Sequence, residues 1–276
     1  MIKSSSSAPV VSCESWAVAD LRSGSVIGGQ NSLNHREIAS ITKIMTCLLV
    51  VKYIEDTGFD LENFIPISHT ASSIGGTSAR LRAGEQIQTI DLLYGLMLPS
   101  GNDAAVALSE FFGSLLAYEY GDEYADGTRY FVREMNLIAK EIGLVDTHFA
   151  NPHGMSKPKN LSSARDVCRL AAVAMHNELF RGIVSTCSYT CYVLQSDGCG
   201  FRRCKWENTN EPLGNGFCGV KTGVTKNAGP CLCACYCKNG KSVIVVVLGS
   251  ASKEQRWIDV PKLAEWGILQ LTKKIK

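Results

Sequence analysis

No run of apolar residues in this sequence is long enough to cross a bilayer. The longest beyond the start, around Ile44 to Val51, falls well short of the ~20 residues that a spanning helix needs. The Ser-rich stretch Met1 to Val11 has no apolar centre, so no signal peptide is visible. The sequence either begins after a removed signal or belongs to a cytosolic protein. An excess of one charge sign is also missing. With 28 Lys and Arg against 26 Asp and Glu the formal net charge is +2, which leaves no broad footprint for nucleic acid or an anionic membrane surface. The histidines, His35, His69, His148, His153 and His176, are scattered without metal-ligand spacing, and His153 sits in a turn-rich Asn-Pro-His-Gly stretch that reads as structural. Gly75-Gly76 lacks the pattern of a phosphate loop, so nucleotide binding has no support. Neither a cofactor nor a resident metal is expected.

What is present is an ordinary enzyme composition: 276 residues, 45% hydrophobic and 20% charged, enough for a sizeable core. There is no internal repeat and no linker that would isolate a second domain, so 1–276 reads as one domain. The twelve cysteines are many for this length, and disulfides and free thiols both remain open. Cys231, Cys233, Cys235 and Cys237, spaced by two, share one face of a strand. One straight strand does not gather ligands into a tetrahedron, so these four read as small core residues or disulfide halves rather than zinc ligands. Cys47, on the helix described next, reads as core.

The periodicities give an order of elements. Trp16 to Asp20 predicts a short strand, and Arg22-Ser23-Gly24-Ser25 a turn into a second. Ala39 to Tyr53 predicts a helix apolar almost all round, which should run through the middle of the domain. Leu61 to Arg82 is irregular and polar. Helices are expected over Thr89 to Leu98, from Asn102 or Asp103 after the break at Pro99-Ser100-Gly101, over Gly127 to Ile142, and from a Ser162 or Ser163 cap to Met175. After Gly182 the character changes to strands at Tyr189 to Leu194, Phe217 to Val220, Cys231 to Cys237 and Val243 to Leu248. A last helix follows over Val260 to Leu271, with Trp257 and Trp266 packed on the sheet. Strands, then helices, then strands and a helix imply an α/β (α+β) fold. Its antiparallel sheet takes its edges from both chain ends, with a helical lobe over roughly 60–180 inserted between them.

Three short segments carry chemistry. Ser40-Ile41-Thr42-Lys43 opens the buried helix, and residues three apart on a helix are neighbours, ~5–6 Å between Cβ atoms, so hydroxyl and amine can meet. A serine in the first turn lies near free N–H groups and the positive dipole end, which favour an oxyanion. A lysine becomes a usable base when burial or a second cation lowers its pKa. Ser100-Gly101-Asn102 offers a hydroxyl and an amide between two helices. Lys221-Thr222-Gly223 closes the Phe217 to Val220 strand with a cation, a hydroxyl and a residue that lets a substrate backbone approach. Each alone is ordinary: an exposed helix turn, a helix cap, a surface turn. All three in this order and context form the signature of penicillin-binding proteins and serine β-lactamases.

The surrounding text narrows this. Ala39-Ser40-Ile41-Thr42-Lys43-Ile44-Met45-Thr46, Pro99-Ser100-Gly101-Asn102-Asp103-Ala104, His148-Phe149-Ala150-Asn151-Pro152-His153-Gly154 and Gly219-Val220-Lys221-Thr222-Gly223 resemble the low-molecular-weight D-alanyl-D-alanine carboxypeptidases. The resemblance runs from about Trp16 to Gly267 and implies a β-lactamase/transpeptidase-like fold. It implies Ser40 as nucleophile and Lys43 as base, with Ser100 and Lys221 passing protons to and from the leaving amine. Asn102 would orient substrate, and the N–H groups of Ser40 and Val224 would form the oxyanion hole. Thr222 and Arg256 would grip the substrate's free carboxylate, with Gly223 beside them. The implied partners are a peptidoglycan stem peptide ending in D-Ala-D-Ala and β-lactam inhibitors, met outside the cytoplasm. Many relatives continue into a second β-rich domain and an amphipathic anchor. This sequence stops at Lys276, so no such domain or membrane anchor is visible in it.

Two alternatives stand beside this reading. One is a β-lactamase of the same fold, whose class A members hold a water with a glutamate. Between Asn136 and Asn160 the only glutamate is Glu141, inside a helix, which favours the carboxypeptidase. The other is a catalytically silent protein that binds cell-wall peptides, against which stands the presence of every expected catalytic side chain.

Overall fold

The computed structural model describes residues 7–122, 126–211 and 213–273, so Met1 to Ser6 of the Ser-rich start and the terminal Lys276 lie outside it. β1 (Ser15–Asp20) and β2 (Val26–Gln30) pair antiparallel across a turn at Gly24, whose φ of 67° suits a residue without Cβ. A 3-10 turn at Ala39–Thr42 leads into α1 (Lys43–Thr57), which Gly58 ends in a left-handed cap. The expected continuous helix from Ala39 is therefore divided. Ala39 has φ 49°, a conformation no α-helix contains, and helical hydrogen bonding begins only at Lys43.

The stretch expected to be irregular holds β3 (Phe64–Pro66) and α2 (His69–Ser73), followed by β4 (Gln86–Gln88). α3 (Thr89–Met97) and α4 (Asn102–Glu119) meet at Pro99-Ser100-Gly101. α5 (Gly127–Glu141) packs so closely on α4 that a Cβ on Gly113 would stand 1.8 Å from the Gly127 carbonyl. α6 (Ala164–His176) is capped by Ser163, whose side chain accepts from the Asp166 N–H. α7 (Glu178–Ser185) runs through Gly182, where the sequence pattern placed the end of the helical block; Asn177 caps it, and its apolar side buries Phe180, Ile183 and Val184.

β5 (Ser188–Leu194), β6 (Phe201–Glu207), β7 (Phe217–Thr225), β8 (Gly229–Lys238), β9 (Lys241–Leu248) and α8 (Lys253–Lys273) complete the chain. The main sheet has the order β2-β1-β9-β8-β7, antiparallel throughout, with its edges from the two ends of the chain as expected. Alternation sorts its two faces. Ala17, Cys231, Cys233, Cys235, Ile244 and Val246 face the core that contains α1 and α6. Trp16, Val18, Leu232, Val245 and Val247 face α8, where Trp266 meets Trp16 edge-on at 5.7 Å between ring centroids.

A second sheet, β3-β4-β5-β6, was not expected; it claims β5, which the pattern had grouped with the main sheet. Its three-residue strands are too short to show a period. Lys221-Thr222-Gly223 also lies inside β7 rather than at its end, because β7 continues to Thr225 along the sheet edge. α8 begins seven residues before the expected Val260 and so carries Arg256 in its first turn. Cys47 is fully buried in the core, and all twelve cysteines are thiols. Cys235 and Cys237 do not stand alone on their strand: Cys218 of β7 closes on both, which the single-strand argument against converging thiols did not allow for. Among the described residues, no helix is long and apolar enough to cross a membrane.

Candidate active site

Ala39 holds a left-handed backbone conformation costly for a residue with a Cβ, and so turns Ser40 out of the chain's path at the mouth of α1. Two glycines make room for that turn. A Cβ on Gly154 would stand 1.9 Å from the Ala39 carbonyl oxygen, and one on Gly223 would stand 3.0 Å from Ser40 N. The 151–155 turn is strapped in place by Asn151, whose Oδ1 accepts from Gly154 N at 2.6 Å, and by Thr46 of α1, which donates to the Pro152 carbonyl at 2.6 Å. Ser40 is thus wedged between this turn and the free edge of β7.

Lys43 points back toward Ser40 from the first helical position and is 0% exposed. Its Nζ lies 3.0 Å from Ser40 Oγ, 2.7 Å from Asn102 Oδ1 and 2.8 Å from the His153 carbonyl oxygen. Asn102 Nδ2 donates to the Gly75 carbonyl at 2.7 Å, which fixes the amide with its oxygen toward the lysine. Burial and then the charge of Lys221 hold the Lys43 ammonium well below the usual lysine range, against a smaller opposing pull from Asp103. Lys221, 1% exposed, is pushed down to about 7 by burial and then by Arg256.

Ser100 is buried with φ 63°, and its hydroxyl has no hydrogen-bond partner among the described residues. Its carbonyl accepts from Thr77 Oγ1 at 2.6 Å. Beside it Asp103 organises the 78–81 loop: Oδ1 accepts from Ala79 N at 2.8 Å and Oδ2 from Ser78 Oγ at 2.6 Å. His153 is pushed down to about 4 by burial and then by Lys43, so it is neutral near pH 7, and its Nδ1 accepts from Met155 N at 3.1 Å. It shapes the turn, as its setting suggested.

These groups open on a cleft of about 650 Å³, lined among others by Ser40, Ser100, Asn102, Thr222, Val224 and Arg256. Gly223 also lines it, while Lys43 and Lys221 lie buried behind its wall. All nine sequence-predicted site residues therefore lie in or directly behind one cleft. Arg256 donates to the Cys231 carbonyl at 3.2 Å and stacks over the Trp257 ring at 4.5 Å, while its Nε has no partner among the described residues. Thr222 Oγ1 shares a hydrogen bond of 2.9 Å with Thr209 Oγ1. Thr77, Thr209 and the His153 carbonyl were not foreseen. Backbone carbonyls and lone threonines carry no motif, and only the tertiary contact gives them a role.

The chain resembles proteins whose names bear on this cleft. The family model described as D-alanyl-D-alanine carboxypeptidase, peptidase family S11, matches residues 2–252. A D-alanyl-D-alanine carboxypeptidase of Streptomyces sp. strain K15 is 35% identical over 238 residues, 84% of this chain and 79% of that protein. The carboxypeptidase DacF of Bacillus subtilis is 33% identical over 250 residues; the match takes in 90% of this chain but only 60% of DacF's length. The crystal structure of the Streptomyces K15 DD-transpeptidase superposes with a TM-score of 0.87 at 32% identity, covering 95% of this chain and 99% of that one. The fold is accordingly the transpeptidase-like α/β fold, and the chain belongs to the S11 family of D-alanyl-D-alanine carboxypeptidases, serine peptidases of the penicillin-binding kind.

Proposed function

We propose that this chain is a serine-type D-Ala-D-Ala carboxypeptidase that removes the terminal D-alanine from peptidoglycan-type stem peptides through an acyl-enzyme on Ser40. One observation carries the reading, the set of partners around Lys43 Nζ. Two of the three, Asn102 Oδ1 and the His153 carbonyl, only accept hydrogen bonds. A neutral amine spends its two N–H groups on them and leaves its lone pair for the third, Ser40 Oγ, which alone can donate. Burial and the charge of Lys221, which lower the proton affinity of Lys43, favour that neutral form.

In the forward step the Ser40 hydroxyl gives its proton to Lys43 as its oxygen bonds to the scissile carbonyl carbon. The N–H groups of Ser40 and Val224 receive the oxyanion. The C–N bond breaks as the proton taken up by Lys43 passes through the Ser100 hydroxyl to the amine of the departing D-alanine. The charge of Lys221 favours that transfer, and Lys43 is left neutral. Water then gives a proton to Lys43 as the water oxygen bonds to the ester carbon. The C–O bond to Ser40 breaks, Lys43 returns the proton to Ser40 Oγ, and the shortened peptide leaves with a new carboxyl end. Thr222 and Arg256, which both line the cleft, take the substrate's terminal carboxylate. β-Lactams would acylate Ser40 by the same route. The substrate's location places the work outside the cytoplasm.

The lactamase reading finds less support, since among the described residues no carboxylate lines the cleft and Glu141 lies exposed at the end of α5. Incubation with a labelled penicillin should add one inhibitor mass to the intact protein, and Ser40→Ala should lose that adduct while keeping its fold. Release of D-alanine from a D-Ala-D-Ala peptide separates a working carboxypeptidase from a silent binder. An adduct retained on Ser40→Ala would overturn the assignment.

A further inference from the structure

On the sheet, away from the cleft, three thiols from two strands converge. Cys218 Sγ lies 3.2 Å from Cys235 Sγ and 3.7 Å from Cys237 Sγ, and all three sulfurs fall within 4.8 Å of one another. Cys235 and Cys237 share a face because they are two apart on β8. Cys218 reaches both because the β7–β8 register is irregular between Phe217 and Val220, and such a bulge re-aims the side chain it carries. We propose that Cys218, Cys235 and Cys237 bind one thiophilic divalent cation of the zinc class through three thiolates.

The spacing suits a shared ion better than a bond. Around a metal with sulfurs at ~2.3 Å, tetrahedral geometry sets neighbouring sulfurs ~3.8 Å apart, whereas a disulfide needs ~2.05 Å and would leave the third thiol over. Burial grades across the group from the enclosed Cys235 to the exposed Cys237, so the site has an anchored base and an entry path. The Ser242 hydroxyl donates to Cys237 Sγ at 3.1 Å, a bond that favours the thiolate and orients it. The exposed Cys237 leaves the group open to solvent, from which a water can serve as the fourth donor. Three thiolates and one divalent ion leave one net negative charge, which the exposed side of the group leaves open to solvent screening. Bound metal would pin the irregular start of β7 to β8, three residues before Lys221.

The test is a titration of the reduced, chelator-treated full chain with Cd²⁺ and Co²⁺, read by the sulfur-to-metal charge-transfer band and by native mass. One ion per chain is expected, with a rise in melting temperature. Cys237→Ser changes an exposed position and should spare the fold, yet weaken Cd²⁺ binding at least about tenfold; Cys218→Ser should do the same. Cys187→Ser and Cys199→Ser, exposed thiols outside the cluster, should change nothing, and neither should Cys191→Ser, which removes the other cross-strand thiol pair on β5 and β6. No binding by the wild type, or an undiminished band in Cys237→Ser, would overturn the site. So would recovery from the metal-free protein of a Cys218 peptide cross-linked to Cys235 or Cys237.

Discussion

Lys221 stands behind the same cleft as Lys43, and its charge is, after burial itself, the main reason Lys43 gives up its proton early. Both lysines are almost wholly excluded from water. Acylation of Ser40 by a β-lactam should therefore rise with pH along a limb well below the ~10.4 of a free lysine. Lys43→Arg keeps the charge but cannot deprotonate, and should abolish acylation. Lys221→Met removes the neighbouring charge, so whatever acylation it retains should follow a limb moved to higher pH. An unmoved limb would detach the two lysines from one another.

The same burial makes a stability prediction. Lys221 has a folded pKa of about 7, below its unfolded ~10.4, so between those values the unfolded chain binds more protons than the folded one. Stability from this group is thus lowest below pH 7 and rises as pH climbs through the folded value. Buried thiols such as Cys47, whose pKa burial raises, act with the opposite sign at higher pH. The thiols are common to wild type and Lys221→Met, so their contributions cancel in a comparison of the two between about pH 6.5 and 8.5. Denaturant midpoints should show wild type gaining on Lys221→Met across that range, by at most ~1.4 kcal/mol per pH unit.

Arg256 and Thr222 are expected to select a free C-terminal carboxylate. A charge-assisted bond of this kind contributes ~1.5–3 kcal/mol, so Arg256→Ala should lower kcat/KM for a D-Ala-D-Ala peptide by roughly ten- to a hundredfold. The same peptide amidated at its C-terminus should suffer much less, and wild type should prefer the free acid. A mutant that discriminates as well as wild type would show that the carboxylate is held elsewhere.

Gly154 and Gly58 share a left-handed backbone, with φ 87° and 70°, but only Gly154 has neighbours in the way. Gly58→Ala should cost the conformational penalty alone, ~1–2 kcal/mol. Gly154→Ala must also push the Ala39 carbonyl aside, for a further ~1–3 kcal/mol. Because that carbonyl precedes Ser40, the Gly154 variant should lose acylation rate even where it remains folded, while the Gly58 variant acylates normally. Thermal melts and adduct formation on the two variants make the comparison.

Long elements with a strong period were legible. The all-round apolar character of Ile44 to Val51 signalled a central helix, and the alternation through Cys231 to Cys237 and Val243 to Leu248 signalled sheet strands with two buried faces. The second sheet was not legible, because β3 and β4 are three residues each and are held by backbone hydrogen bonds, which leave no side-chain pattern in the sequence. The 3-10 turn at Ser40 escaped for a related reason. Its apolar spacing is that of a helix, and the left-handed Ala39 fits only because Gly154 and Gly223, remote along the chain, leave room for it.

The sequence by itself determined which residue types stand at the three motif positions, and in what order, since those are covalent facts. It also determined which faces of the long elements must be buried, since periodicity is local. Only the tertiary structure decided that Lys43 meets two obligate acceptors and one possible donor, that Lys221 adds its charge behind the same wall, and that Cys218 closes a group with Cys235 and Cys237. Proton affinity and ligand convergence depend on solvent exclusion and on distances of a few ångströms between segments remote along the chain. No local pattern encodes those distances; the fold sets them when its core closes.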